Sequence, residues 1–375
     1  MSNLTLIATS AFGIESIVAK EIKNLGYTDV TVENGKITYI ADERGVVKSN
    51  LWLRCSDRVY IKIGEFKATS FEELFENTKA LPWEDFLPID AEFPVADAKS
   101  VKSGLFSLSD IQSIVKKAVV EKLKSTYSID WFKEDGAKYP IHVSILKDIV
   151  TITINTSGDA LHKRGYRERA SEAPLKETLA AALIKVSGWT PDKALIDPFC
   201  GSGTIPIEAA LIGRNIAPGL NRKFISENWA IIPKEIWKEE RKKAYTAIDY
   251  NCELDISGVD IDKSSIAISR ENSIEAGVDD CIHFQQNDMN TISSKRKDGY
   301  IICNPPYGER LNELAEIQSL YTAMGTVFSK FITWNQYIIT SYEYFEKYFG
   351  KTSDKNRKLY NGRIKCYYYQ YLNHK

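Results

Sequence analysis

Lys193-Ala-Leu-Ile-Asp-Pro-Phe-Cys-Gly-Ser-Gly-Thr204 decides how the second half of this chain folds. Lys193 to Ile196 reads as a short apolar strand, and Thr204 to Ile212 as a helix closed by Gly213. Between them, the glycines at 201 and 203 permit backbone to approach a ligand at the carboxyl edge of a parallel sheet. The loop is not a P-loop, because GxxxxGK[ST] is absent. It also lacks the third glycine of GxGxxG, which disfavours a nicotinamide dinucleotide.

Outward from this loop, strands and helices alternate. Ile256 to Val259, Ile282 to Gln285 and Gly299 to Cys303 read as strands, with helices near Lys263 to Ala276 and Glu313 to Phe331. Crossovers of this kind build a parallel sheet. Upstream, Pro174 begins a helix to Val186 that ends at Gly188. Downstream, Gln336 to Thr340 is a strand and Leu359 to Tyr371 a hairpin around Asn361-Gly362, so an antiparallel addition closes the sheet.

The amino-terminal half alternates differently. Leu4 to Ala8 is extended, and Gly13 to Leu25 places Ile14, Ile17, Val18, Ile22 and Leu25 on one helical face capped by Gly26. Val30 to Ile40 folds back at Asn34-Gly35, giving a β-α-β-β unit. From Ser70 to Pro94 the pattern breaks around Pro82, Pro88 and Pro94, a candidate join between subdomains. Ser109-Asp110 caps a helix to about Lys124, with Lys116, Lys117, Lys122 and Lys124 on its polar face. That face reads first as solvated surface and second as an RNA contact. Ile141 to Leu146 and Ile149 to Asn155 form a hairpin turning at Lys147-Asp148.

A chain of 375 residues implies two or three compact units. With 49 basic and 50 acidic side chains, no overall field draws it to nucleic acid or anionic lipid, so any such binding uses a local basic patch. The start has no basic, apolar leader, and no run of about 18 apolar residues occurs. The expectation is a soluble, cytoplasmic protein. Six cysteines lie scattered without metal-ligand spacing, so reduced thiols and no metal are expected.

Acidic residues stand at successive strand ends. Asp260, in Gly258-Val-Asp-Ile-Asp262, can accept two ribose hydroxyl hydrogen bonds, and Asp288 can accept from an adenine amino group. Asp262 reads as a helix N-cap. The next strand runs into Asn304-Pro-Pro-Tyr-Gly308, where two prolines fix φ and leave rigid carbonyls beside the Asn304 amide. Such a corner receives donors: the Asn304 side-chain oxygen and the Pro305 carbonyl can accept both N–H groups of an exocyclic base amine. Tyr307 offers a flat surface for a flipped base.

These residues resemble the class I S-adenosylmethionine-dependent methyltransferases, within them the amino-methyltransferases with a (D/N/S)PP(Y/F/W) motif. Ser157-Gly-Asp-Ala-Leu-His-Lys-Arg-Gly-Tyr-Arg-Glu-Arg169, Ala173-Pro-Leu-Lys-Glu-Thr178, Asp197 to Thr204, Ala217-Pro-Gly219 and Asn304 to Leu311 together resemble the THUMP-containing guanine-N2 RNA methyltransferases. Within these, the chain is similar to the amino-terminal half of the bacterial large-subunit 23S rRNA enzymes. The resemblance implies an α/β and α+β multidomain fold: a ferredoxin-like region over 1–66, a THUMP domain over 67–156, and a Rossmann-like methyltransferase sheet with a carboxyl-terminal antiparallel hairpin over 157–375.

It further implies that Asp197, Pro198, Phe199, Cys200, Gly201, Ser202, Gly203 and Thr204 hold the methionine part of the cofactor. Asp260 with Ile261 would hold the ribose side, and Asp288 with Met289 the adenine side. Asn304, Pro305, Pro306 and Tyr307 would position the guanine. Lys163, Arg164, Arg167, Arg169 and Lys176 would contact RNA phosphates, most simply those of 23S rRNA or a large-subunit precursor. The gap of about 60 residues from Asp197 to Asp260 exceeds an ordinary βαβ step. An insertion bearing Trp229 and Trp237 fills it, with packing as the expected role of both. Two rivals remain: methylation of tRNA, and a ribosome-assembly protein that binds RNA without catalysis.

Overall fold

The computed structural model describes residues 3–167, 175–307 and 314–373, whose strands gather into two seven-stranded sheets. The first has the order β2 (Val30–Glu33), β3 (Lys36–Ala41), β1 (Leu4–Thr9), β4 (Arg58–Lys67), β7 (Ile149–Asn155), β6 (Ile141–Leu146), β5 (Val95–Val101). Helices α1 (Glu15–Asn24), α2 (Glu43–Trp52), α3 (Phe71–Lys79) and α4 (Leu108–Tyr127) accompany it. Lys147 and Asp148 both take positive φ, 52° and 64°, which matches the right-handed twist of the flanking strands. On α4 the expected apolar face is buried, with Ile111, Val115, Ala118 and Leu123 turned inward.

The broken pattern after Ser70 contains α3, which Ser70 caps by accepting from the Glu73 backbone N–H at 3.2 Å. The expected 66/67 boundary also falls inside β4. This ten-residue strand pairs with β1 on one edge and β7 on the other, so a single sheet runs through both expected regions.

The chain divides into two compact units. The amino-terminal unit comprises 1–9 and 19–161 and also takes in 223–243, part of the insertion. Trp229 stacks on Tyr139 at 4.6 Å between ring centroids, and its Nε1–H donates to the Lys138 carbonyl at 2.9 Å. Trp237 stacks on Phe224 at 5.3 Å, and both tryptophans are buried, as packing residues should be. Helix α7 (Lys234–Thr246), unread in the sequence, holds Glu239 and Glu240 against Arg44.

The second unit comprises 10–18, 162–222 and 244–375. Its sheet has the order β10 (Ile282–Gln286), β9 (Ile256–Asp260), β8 (Ala194–Asp197), β11 (Gly299–Cys303), β12 (Asn335–Thr340), β14 (Ile364–Tyr371), β13 (Lys355–Asn361). The first five strands are parallel, and β14 runs antiparallel to both neighbours. Helices α5 (Glu177–Ser187), α6 (Thr204–Gly213), α8 (Lys263–Glu275), α9 (Leu314–Phe328) and α10 (Phe345–Phe349) complete it. The helix start expected at Pro174 lies outside the described residues. Ile196, Val259, Ile301 and Ile338 of the central strands pack with Tyr321, Met324 and Phe328 of α9.

From β8 the chain steps outward through β9 and β10, then returns to lay β11 on the opposite side of β8. That reversal leaves a crevice at the carboxyl ends of β8 and β11, the position where open α/β sheets bind ligands.

Candidate active site

The edge of the second sheet collects three acidic residues and an amide at neighbouring strand ends: Asp288 after β10, Asp260 on β9, Asp197 on β8, and Asn304 after β11. Asp197 is 1% exposed and accepts from the Phe199 N–H at 3.1 Å. Burial pushes its carboxyl well above the usual range, the Phe199 hydrogen bond opposes this, and nearby Asp260 adds to the rise. Asp197 therefore braces the loop from inside.

Gly201 and Gly203 have φ of +49° and +84°, a region that L side chains rarely adopt. A Cβ on Gly201 would meet nothing within 4 Å, so this backbone faces open space. A Cβ on Gly203 would come within 3.0 Å of Phe284 and Ser269, so close packing as well as φ requires glycine. The Gly201 N–H donates to Asp260 Oδ2 at 2.9 Å, tying the loop to the tip of β9. Asp260 Oδ1 accepts from the Asp262 N–H at 2.9 Å. A carboxylate offers about four lone-pair directions, which leaves acceptors for the two hydroxyls of a ribose.

Asp262 is the N-cap of α8, accepting from the backbone of Ser264 and Ser265, and hydrogen bonds from both serines hold its carboxyl down at about 2. Ile261, 70% exposed, is an apolar surface beside Asp260. Asp288 is exposed and caps a short turn through the Asn290 N–H at 2.8 Å. Met289 instead packs into the core with Ile292 and Tyr321, so its side chain is an interior group.

At the end of β11, Tyr307 donates its hydroxyl to Asn304 Oδ1 at 2.5 Å. The Cys366 thiol donates to the Tyr307 oxygen at 3.8 Å, and burial pushes the Tyr307 phenol up. Tyr307, expected only as a flat surface, thus also holds the Asn304 amide. The Pro306 carbonyl is held by Tyr321, whose hydroxyl donates at 2.8 Å. Burial pushes both the Cys200 and Cys303 thiols well above their ordinary value, consistent with packing rather than nucleophilic roles.

The basic residues expected to meet RNA separate into two groups. Lys163 is exposed and Lys176 half-exposed. Arg164 is 4% exposed and ion-paired with Glu208 at 3.3 Å, which removes it from any surface a phosphate could reach. Arg167 also turns inward: it pairs with Glu177 at 3.1 Å and donates to the Leu175 carbonyl at 2.9 Å and Thr204 Oγ1 at 3.3 Å. Arg169 lies outside the described residues. Tyr166 donates to Glu208 at 3.3 Å, completing a buried cluster behind the glycine loop that linear spacing did not reveal. On α4, Lys116 pairs with Glu134, Lys122 with Glu84 and Lys124 with Glu121, which favours the solvated-surface reading of that face. Among the described residues no cluster has the makeup of a metal site, and no helix is long and apolar enough to cross a membrane.

The reversal of strand order, the glycine loop and the acidic tip of the next strand define a class I methyltransferase. A family model described as the RMKL-like methyltransferase domain matches residues 164–370, one for the RlmL ferredoxin-like domain matches 5–60, and one for the THUMP domain matches 68–155. The chain is 49% identical over 373 residues to the putative RNA methyltransferase YpsC of Bacillus subtilis, covering 99% of this chain and 96% of that protein. It is 32% identical over 378 residues to the ribosomal RNA large subunit methyltransferase K/L of Shewanella baltica, covering 99% of this chain and 53% of that protein. The chain therefore spans about half the length of the K/L relatives. The structure of SMU.472, a putative methyltransferase complexed with SAH, superposes with a TM-score of 0.95 at 45% identity, covering 100% of this chain and 99% of that one. The chain belongs to the RMKL-like methyltransferase family.

Proposed function

We propose that this protein methylates the exocyclic N2 amine of a guanosine in 23S rRNA, using S-adenosylmethionine. One observation carries the reading: the proline-fixed Asn304 corner stands at the end of β11, directly across the strand-order reversal from the glycine loop that ends β8. The relative complexed with SAH supports the cofactor, the K/L relatives support the large-subunit substrate, and the resemblance of the whole motif set supports guanine.

The loop from Asp197 to Thr204 would cradle the methionine part, Asp260 the ribose and Asp288 the adenine amine, with Ile261 against the base. When bound, the cofactor supplies an electrophilic sulfonium methyl group. The Asn304 oxygen has two lone pairs, so one direction remains for a substrate N–H beside the Tyr307 hydroxyl. With the Pro305 carbonyl taking the second N–H, the amine lone pair is freed from conjugation and aimed. The nitrogen gains the methyl and releases one proton to solvent. Residues 1–66 and 67–156 would present RNA as ferredoxin-like and THUMP regions, and Lys163 and Lys176 would meet phosphates.

The test is transfer of labelled methyl from S-adenosylmethionine to total RNA of a strain lacking the gene, followed by size separation and nucleoside analysis. The expected product is N2-methylguanosine in large rRNA. Asn304→Ala should keep cofactor affinity and lose about 100-fold or more in turnover. Label in tRNA would move the substrate, and unchanged turnover in the variant would remove Asn304 from the chemistry.

A further inference from the structure

Of the basic residues expected to meet RNA, Arg164 and Arg167 are turned inward, which leaves Lys163 and Lys176 as the accessible ones among the described residues. A second stretch adds positive charge. Residues 341–367 carry seven Lys or Arg against three Asp or Glu, within a chain whose net charge is -1. Their register pairs Lys358 with Tyr367 and Tyr360 with Lys365 across β13 and β14. Side chains two apart share a strand face, so cations and rings form a checkerboard. The Lys358 ammonium lies 5.5 Å from the Tyr360 centroid, and that of Lys365 5.2 Å from Tyr367. Phe12, 54% exposed, meets Tyr360 edge-on at 6.1 Å.

The patch adjoins the site. Thr340 at the carboxyl end of β12 pairs with Tyr367, and β12 lies parallel to β11, so β14 begins at the same edge where β11 hands over to Asn304. Cys366, at the same position along β14 but on the opposite, buried face, reaches Tyr307. Exposed Lys and Tyr neighbours often do no more than fill a solvated strand face. Here they coincide with a local surplus of positive charge, an exposed ring from a separate segment, and the rim of the Asn304 corner. Glu343, which pairs with Lys365 at 3.2 Å, leaves Lys358 and Arg363 as the exposed cations near the hairpin turn.

We propose that the β13–β14 hairpin and Phe12 form a docking surface for single-stranded RNA flanking the target nucleotide, with Tyr360 and Phe12 stacking bases and Lys358 and Arg363 meeting phosphates. Rings interleaved with cations suit splayed bases rather than a duplex, whose stacked bases offer no free faces. This inference rests on RNA being the substrate, and deepens that reading.

The experiment measures binding of a labelled twelve-nucleotide oligouridylate to the full chain across a salt series, with a duplex of equal length as competitor. Tyr360→Ala and Phe12→Ala should each weaken binding about 5- to 100-fold, while Tyr360→Phe retains it. Lys358→Ala should lower the salt slope by about 0.7. S-adenosylmethionine affinity and melting temperature, read in the same variants, should stay at wild-type values. Wild-type affinity and slope in all three alanine variants would overturn the proposal, as would preference for the duplex. Methyl transfer is scored separately, so failure of this surface leaves the methylation result standing, and a failed methylation assay is distinguishable from lost RNA affinity.

Discussion

Arg167 illustrates how a cation drawn toward a backbone carbonyl and a buried carboxylate becomes an internal tie. It joins the start of α5 to the first residue of α6, and the Glu177 carboxyl is its partner there. Burial lifts the Glu177 carboxyl to about 7, with Arg167 pulling the other way. The sign follows from linkage. A carboxyl whose folded value exceeds its unfolded value contributes stability that is complete below the unfolded value, near 4.5, and lost as pH rises through about 7. Glu177→Gln removes that dependence, so its stability relative to wild type should improve by roughly 3 kcal/mol over this window. Urea unfolding midpoints taken at both ends of the window test it, and a constant difference would show that Glu177 does not titrate there.

Strand β13 is the outer strand of the second sheet, with Lys355, Asn356 and Lys358 exposed. Gly13 packs closely against it: its carbonyl accepts from the Arg357 side chain at 3.2 Å, and a Cβ there would stand 2.5 Å from the Lys358 carbonyl oxygen. With φ at +93° as well, no other residue fits without moving backbone. Gly13→Ala should destabilise the second unit by at least about 1–2 kcal/mol. Hydrogen exchange of β13 amides would read the effect locally, and unchanged protection would show that the strand accommodates the added methyl. The turns were legible in sequence for a related reason. Asn34-Gly35, Lys147-Asp148 and Asn361-Gly362 are local solutions to a tight reversal, whereas the amphipathic patterns of α3 and α7 lie in proline-marked or charge-dense stretches that obscure them, and α10 has only five residues.

At the scale of the molecule, chain order and unit membership part company. Residues 223–243 lie between α6 and β9 of the methyltransferase sheet in sequence, yet belong to the amino-terminal unit. Trp229 is the anchor, fully buried on Tyr139. Trp229→Ala should cost that unit about 3–5 kcal/mol, through lost burial and an unfilled cavity. The check is a lower urea midpoint for the transition that exposes the amino-terminal strands, and wild-type behaviour would mean the insertion contributes nothing to that unit's stability.

The parallel sheet, its antiparallel close, the glycine loop, the acidic strand tips and the Asn304 corner are all legible in local stretches of the chain. Each depends on residues close in the chain: a strand period, a φ only glycine tolerates, a proline that fixes its neighbour. Contacts between distant segments settle that β4 joins two expected regions into one sheet, that Asp197 and Met289 face inward, and that Arg164 is buried and Arg167 turned inward while Lys358 and Arg363 are exposed. These depend on desolvation and on partners distant in sequence, such as Glu208 for Arg164, and a cation's reach is set by what buries it rather than by its neighbours in the chain.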